Sequence, residues 1–214
     1  MKKIVLLTLS IIQFLFPAYE VVKLQGADLN NENIKVNFSN INTTKLTIEL
    51  DDFNIFNVDG EKGKIIHLSN GSQILKKGAP DLPKLTASII IPDDQKMEIN
   101  VTNFKYTEYS NYEILPSKGN LSRLVNPDNI LFEYGSDYLI DEFYPRNLVE
   151  LGKPYIIKDI RGIPVNTYPI QYNPISKILR VYNIIEVEIK SNGLDTENIL
   201  IRDNIPKRSF EFEN

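Results

Sequence analysis

From Ile178 to Lys190 the sequence alternates with a period of two: Leu179, Val181, Ile185, Val187 and Ile189 fall on one face, and Arg180, Tyr182, Glu186 and Glu188 on the other. Successive side chains of a strand point to opposite faces, so this spacing demands an extended segment with one buried side. The same sign recurs upstream. Leu46, Ile48 and Leu50 alternate with Thr47 and Glu49. Leu85, Ala87, Ile89 and Ile91 line one face of a segment that stops at Pro92-Asp93-Asp94, and Met97, Ile99 and Val101 then alternate with Glu98 and Asn100. The two segments around Pro92-Asp93-Asp94 are expected to form a hairpin. Leu46, Ile48, Ile89, Ile91, Ile99, Val101, Val181, Val187 and Ile189 are expected to be buried. Shorter strands are predicted around His67, at Tyr155-Ile156-Ile157 and from Val165 to Tyr172, with turns at Asp59-Gly60, Ser69-Asn70-Gly71-Ser72, Asp159-Ile160-Arg161-Gly162 and Asn173-Pro174. No helical stretch of three turns follows the N-terminal segment. Short strands separated by turn signals predict an all-β chain, an antiparallel β-sandwich or jelly-roll-like single domain with long loops.

Met1-Lys2-Lys3 followed by the apolar run from Ile4 to Ala18 has the charged start and apolar core of a secretory signal peptide. The run is short for a spanning helix, which needs about 20 apolar residues. Residues 1–18 are therefore expected to be a signal peptide, which places the mature product outside the cytoplasm with no membrane contact once the signal is removed. Residues 19–44, rich in asparagine, are expected to be a weakly ordered lead-in with one edge strand. Residues 45–190 carry the β domain, and 191–214 a tail or linker.

The formal charge of −4 makes nucleic acid an improbable partner, because phosphate binding needs a basic face. With no cysteine, thiolate metal sites and cysteine nucleophiles are excluded. The single histidine, His67, sits in an alternating strand pattern, and neither Ser69 nor Ser72 beside it is framed as a Gly-x-Ser-x-Gly elbow. Asp51-Asp52 and Asp93-Asp94 are adjacent acids near strand ends, where solvated turn carboxylates are the commoner arrangement than a glycosidase pair. The chain is expected to be no enzyme by itself, with no metal or cofactor.

Leu115-Pro116-Ser117-Lys118-Gly119-Asn120-Leu121-Ser122-Arg123-Leu124-Val125-Asn126-Pro127 reads as a strand end entering an exposed loop. Pro116 and Pro127 fix φ near −65° and Gly119 can take a positive φ. Arg123 lies between Ser122 and Leu124 with no acidic neighbour inside the loop. Its guanidinium either pairs with an acid of its own domain or is presented to a partner.

With these residues in hand, the chain resembles the propeptides of the gingipain family of secreted bacterial cysteine peptidases. The resemblance covers roughly residues 45–190. It rests on blocks in order: Gly78-Ala79-Pro80-Asp81-Leu82-Pro83, Pro116-Ser117-Lys118-Gly119, Arg123 with Asn126-Pro127-Asp128, Phe143-Tyr144-Pro145, Arg161-Gly162, and Gln171-Tyr172-Asn173-Pro174 leading into Leu179-Arg180-Val181-Tyr182. It implies a β-rich domain that keeps a cysteine endopeptidase latent and can assist its folding, located in the periplasm, at the cell surface or outside a bacterium. It also implies that Arg123, flanked by Ser122 and Leu124, enters the substrate pocket of the partner catalytic domain, on a framework of Pro116, Gly119 and Pro127. Lys207-Arg208 is the candidate processing site. The chain is expected to be either a truncated precursor, its tail leading towards a missing catalytic domain, or a free-standing inhibitor. A secreted β-sandwich adhesion or carbohydrate-binding module, using the many tyrosines as stacking faces, is the alternative.

Overall fold

The computed structural model describes residues 19–24 and 33–202. Among them the strands run in chain order: β1 (Tyr19–Lys23), β2 (Ile34–Ser39), β3 (Thr43–Glu49), β4 (Asp52–Asn57), β5 (Lys64–His67), β6 (Ser72–Gln73), β7 (Pro83–Ile91), β8 (Gln95–Tyr109), β9 (Val149–Leu151), β10 (Tyr155–Ile157), β11 (Ile160–Thr167), β12 (Ile170–Asn173) and β13 (Ile178–Leu194). Two 3-10 turns, Pro127–Asn129 and Ser136–Leu139, are the helical elements among the described residues.

Two long strands organise the sheets. β13, whose alternation is the strongest in the sequence, pairs with β8 along one edge and with β12 and then β3 along the other, and β2 extends β3. β11 plays the same part in a second sheet, with β7 on one edge, β10 and β9 on the other, and β6 beyond β7. A third, smaller sheet has the order β1-β4-β5. Every named strand pair is antiparallel. All three sheets feed one core: Leu46, Ile48, Val181, Ile185, Val187 and Ile189 from the first, Leu85, Ile91, Ile163 and Val165 from the second, Phe53, Ile55 and Ile66 from the third. Burying each such side chain contributes roughly 1.5–3 kcal/mol. The all-β antiparallel class is the one the alternation predicts.

Several local expectations are corrected. β7 and β8 are not a hairpin. They lie in different sheets, and Pro92-Asp93-Asp94 carries the chain from one to the other. A short Pro-Asp-Asp connection serves a change of sheet as well as a hairpin turn, and only the tertiary partners decide. Ile89, Ile99 and Val101 are half-buried rather than buried, packed on the margin of the core: Ile99 and Val101 lie on β8, an edge strand with β13 as its one neighbour, and Ile89 lies on the stretch of β7 beyond its short pairing with β6. The turn expected at Asp159–Gly162 lies earlier, at Lys158-Asp159, where Lys158 takes φ of 54° and Ile157 pairs with Ile160. Arg161 and Gly162 are strand residues.

Order also extends beyond 45–190. The described residues between 19 and 44 carry two edge strands, β1 and β2; in β2 Ile34, Val36 and Phe38 alternate with Lys35, Asn37 and Ser39, a short pattern flanked by asparagines and exposed along most of its length. At the other end, residues 195–202 fold against the β7–β8 connection: Asp195 N–H donates to Asp94 O at 2.8 Å and Leu200 N–H to Asp93 O at 2.9 Å. The signal-peptide expectation and the Lys207-Arg208 pair fall outside the described residues.

Candidate functional site

The Arg123 loop stands on a paired base. Leu115 N–H donates to Lys64 O at 2.9 Å, Asp81 N–H to Leu115 O at 2.9 Å and Ser117 N–H to Ala79 O at 2.7 Å. Pro80 and Pro116 face each other in this short antiparallel ladder. Lacking an N–H, each proline occupies a position where the ladder asks for none. The Gly78–Pro83 corner and the Pro116–Gly119 block, separate in the sequence, are thus one structural unit. Pro116 and Ser117 are buried in it.

Two glycines are required here. Gly119 has φ of +83°, and a Cβ on it would lie 3.0 Å from Lys77 Cβ. Gly78, at φ of +81°, backs onto Gly135, whose N–H donates to Gly78 O at 2.8 Å. Lys77 pairs with Glu133 at 2.9 Å and Lys76 with Asp137 at 2.7 Å, and Tyr138 donates its hydroxyl to Ile114 O at 2.8 Å. The segment 76–78 is therefore a splint between the loop base and residues 133–138. Gly78→Ala is expected to destabilise the domain by about 1–3 kcal/mol, from the left-handed backbone plus the contact with Gly135. A thermal melt checks it, and an unchanged midpoint contradicts the splint.

Above the base, Lys118 closes the neck. Its Nζ donates to Pro127 O at 2.9 Å and stands 4.1 Å from the centre of the Phe132 ring. Within the loop, Ser122 O accepts from Val125 N–H at 3.0 Å and Ser122 Oγ from Leu124 N–H at 3.4 Å, while Asn126 Oδ1 accepts from Asp128 N–H at 3.0 Å. These bonds make residues 122–125 a tight turn with Arg123 and Leu124 at its two corners. Both are exposed, and Leu124 is 96% exposed, the most of any large apolar residue among those described.

The other described arginines are all paired with carboxylates: Arg146 with Glu142 at 2.7 Å, Arg161 with Asp195 at 2.5 Å, Arg180 with Glu108 at 2.6 Å, and Arg202 with Asp93. Arg123 alone makes no ion pair with a described residue. Pairing with an acid of its own domain, the ordinary fate of a surface arginine, is not seen for Arg123 among the described residues. The structure brings Ser122, Arg123 and Leu124 together with their framework Pro116, Gly119 and Pro127. What sequence reasoning missed is the clamp by Lys118 and the 76–78 splint. Lys118 gave no signal, since its partner is a backbone carbonyl.

His67 lies at the surface with its ring 4.8 Å from that of Phe56. Covering by neighbours holds its pKa below the ordinary imidazole value, with Asp81 opposing, and burial pushes the Asp81 carboxyl up. Tyr168, Tyr172 and Tyr182 are buried, whereas Tyr19, Tyr106 and Tyr134 are exposed. Tyr172 donates to Tyr112 O at 3.0 Å, and burial pushes the Tyr144 and Tyr172 phenols up to about 12. The Arg180 guanidinium lies over the rings of Tyr106 and Phe143, at 4.7 and 3.7 Å from their centres. The guanidinium thereby occupies one face of each of these two rings, which leaves less of them for a stacked ligand.

Comparison with known proteins gives a consistent result. The family model described as Propeptide_C25 matches residues 28–210. Gingipain R2 of Porphyromonas gingivalis is 33% identical over 172 residues, covering 79% of this chain and 23% of that protein. Gingipain R1 of the same species is 35% identical over 159 residues, covering 73% of this chain and 16% of that protein. The chain thus spans about a quarter or less of the length of these relatives. Among solved structures, a chain from the complex of Porphyromonas gingivalis RgpB pro- and mature domains matches with a TM-score of 0.75 at 32% identity, covering 79% of this chain and 91% of that one. A structure described as giving insight into zymogenic latency of gingipain K matches with a TM-score of 0.68 over 82% of this chain and 100% of that one; at 17% identity it speaks to fold alone.

Proposed function

The chain belongs to the gingipain propeptide family, and on that premise we propose that it holds a gingipain-type cysteine endopeptidase latent by placing Arg123 in the pocket that receives the substrate side chain. The observation that carries this reading is Arg123 itself: at the corner of an exposed turn, on a splinted base, and without a carboxylate partner among the described residues. A pocket selecting arginine supplies the missing acid. A planar guanidinium meeting a carboxylate in a dry pocket makes a bidentate, charge-assisted contact, among the stronger polar interactions in proteins. The contact is non-covalent, so it acts equally within a precursor or between separate chains. The chain is the non-catalytic partner, and the leader read from residues 1–18 takes it out of the cytoplasm.

Purified chain titrated into an arginine-specific gingipain-type peptidase is expected to inhibit competitively against a small arginyl substrate, since both need one pocket. Absence of inhibition, or inhibition unaffected by substrate concentration, overturns the reading. Release is proposed to follow a cut after Arg208 in Lys207-Arg208-Ser209. Mass spectrometry of the digest is expected to show that cut early, and an intact tail persisting after inhibition has been lost removes the assignment.

A further inference from the structure

We propose that Lys118 is a positioning residue that keeps the Arg123–Leu124 peptide bond uncut while Arg123 occupies a peptidase pocket. The inference deepens the reading above but its geometry is independent of the partner. A peptidase draws its substrate out as an extended segment, pairing the N–H and C=O groups around the scissile bond with its own and bringing the carbonyl into line with the nucleophile. On either side of Arg123 two of those groups are already engaged. Ser122 O is held by Val125 N–H at 3.0 Å, and Leu124 N–H turns back to Ser122 Oγ.

Straightening the turn requires residues 119–126 to lengthen, and lengthening requires the neck to open. The Lys118 ammonium crosses that neck. It donates to Pro127 O at 2.9 Å and rests over Phe132 at 4.1 Å, joining the entry of the loop to its exit. Pro127 is further fixed by the Asn126 cap on the 3-10 turn that it begins. Hydrolysis would add water across the C–N bond, leaving a carboxylate on Arg123 and an amine on Leu124. With the neck closed, the side chain can be bound while the carbonyl is held out of line.

The test compares the parent with K118M, which keeps the stem but has no donor or charge, and K118R, which keeps both. Each is exposed to trypsin and, separately, to an arginine-specific gingipain-type peptidase. The fragments divided between Arg123 and Leu124 are quantified by intact mass against the cut after Arg146, an exposed arginine outside the loop. K118M is expected to be cut after Arg123 roughly tenfold faster or more than the parent, the effect of losing one net hydrogen bond and one exposed cation–π contact. K118R is expected to stay near the parent, the Arg146 cut to be unchanged, and the melting temperature to hold. Equal resistance of K118M and parent overturns the proposal, as does equal acceleration at Arg123 and Arg146, which marks general loosening. So does K118R cut as fast as K118M. The trypsin arm needs no gingipain-type partner, so a chain that inhibits no such peptidase removes the proposed function without deciding this result.

Discussion

Replacing Arg123 by alanine is expected to weaken inhibition of an arginine-specific gingipain-type peptidase by roughly 30-fold to several thousand-fold, equivalent to about 2–5 kcal/mol. The size of the effect comes from the partner. With the guanidinium gone, the carboxylate at the bottom of the pocket is left buried and unpaired, and its lost hydration is not returned. Nothing comparable is lost within the chain, because Arg123 is exposed and makes no ion pair with a described residue. The melting temperature is therefore expected to stay put. Arg123→Lys is expected to fall between the two, since an ammonium keeps the charge but not the fork. Steady-state inhibition constants for the three proteins, with thermal melts alongside, decide the matter. If both variants inhibit as well as the parent, Arg123 is an ordinary surface residue.

The second large effect lies at the opposite kind of site. Arg161 is fully buried, yet all five of its N–H groups are used. Nε donates to Asn198 O at 2.8 Å, Nη1 to Pro92 O at 3.0 Å and Gln95 O at 2.7 Å, and Nη2 to Asp195 Oδ2 at 2.5 Å and Glu197 O at 2.7 Å. One side chain thereby ties β11, the β7–β8 connection and residues 195–198 together. Arg202 adds a fork on Asp93 and donates to Asp159 O at 3.0 Å. Arg161→Ala strands four carbonyls and a carboxylate. The expected cost is about 3–5 kcal/mol, against the ~5–15 kcal/mol of a typical domain. That corresponds to a fall in melting temperature of roughly 6–20 °C. Hydrogen exchange should show residues 195–202 opening first. A midpoint within a degree or two of the parent contradicts the role assigned to Arg161.

The same clamp has a pH dependence with a definite sign. Backbone N–H donation from Glu197, with further help from Arg161 and Thr196, holds the Asp195 carboxyl below its ordinary value of 3.8. A depressed carboxylate contributes stability that is present above its unfolded pKa and lost as pH falls through the folded one. Acid should therefore loosen residues 195–202 only below about pH 3.8, and titration between pH 5 and 8 should leave them in place.

Much of the fold was legible because burial on one side of a strand leaves a period-two trace. Leu179 to Ile189 shows it, and so does Leu46 with Ile48; each is buried where the alternation put it. β2 carries a short trace too, Ile34, Val36 and Phe38 alternating with Lys35, Asn37 and Ser39, but it stands among asparagines, and Val36 and Phe38 stay exposed because an edge strand has little to cover them. The site was half legible. Pro116, Gly119 and Pro127 mark a stiff, exposed loop through their own backbone restrictions, and Arg123 stands out inside it. That Arg123 makes no ion pair with a described residue while Arg146, Arg161, Arg180 and Arg202 are paired is a matter of tertiary contacts. Asp195 lies 34 residues from Arg161 and Asp93 lies 109 from Arg202, distances at which no local pattern speaks.

The sequence by itself determined the all-β class, the principal strands and the position of the loop, because each rests on interactions between near neighbours: alternation along a strand, proline and glycine restrictions in a turn. Tertiary structure alone decided that β7 and β8 part into different sheets, that Arg161 is a buried tie rather than a turn residue, and that Lys118 closes the loop neck. The first depends on which strands pair, and the other two on which carbonyls and carboxylates the folded chain brings within 3 Å of a cation. A lysine or arginine looks the same in sequence whether its charge meets water, a carbonyl or an acid, and only packing makes the choice.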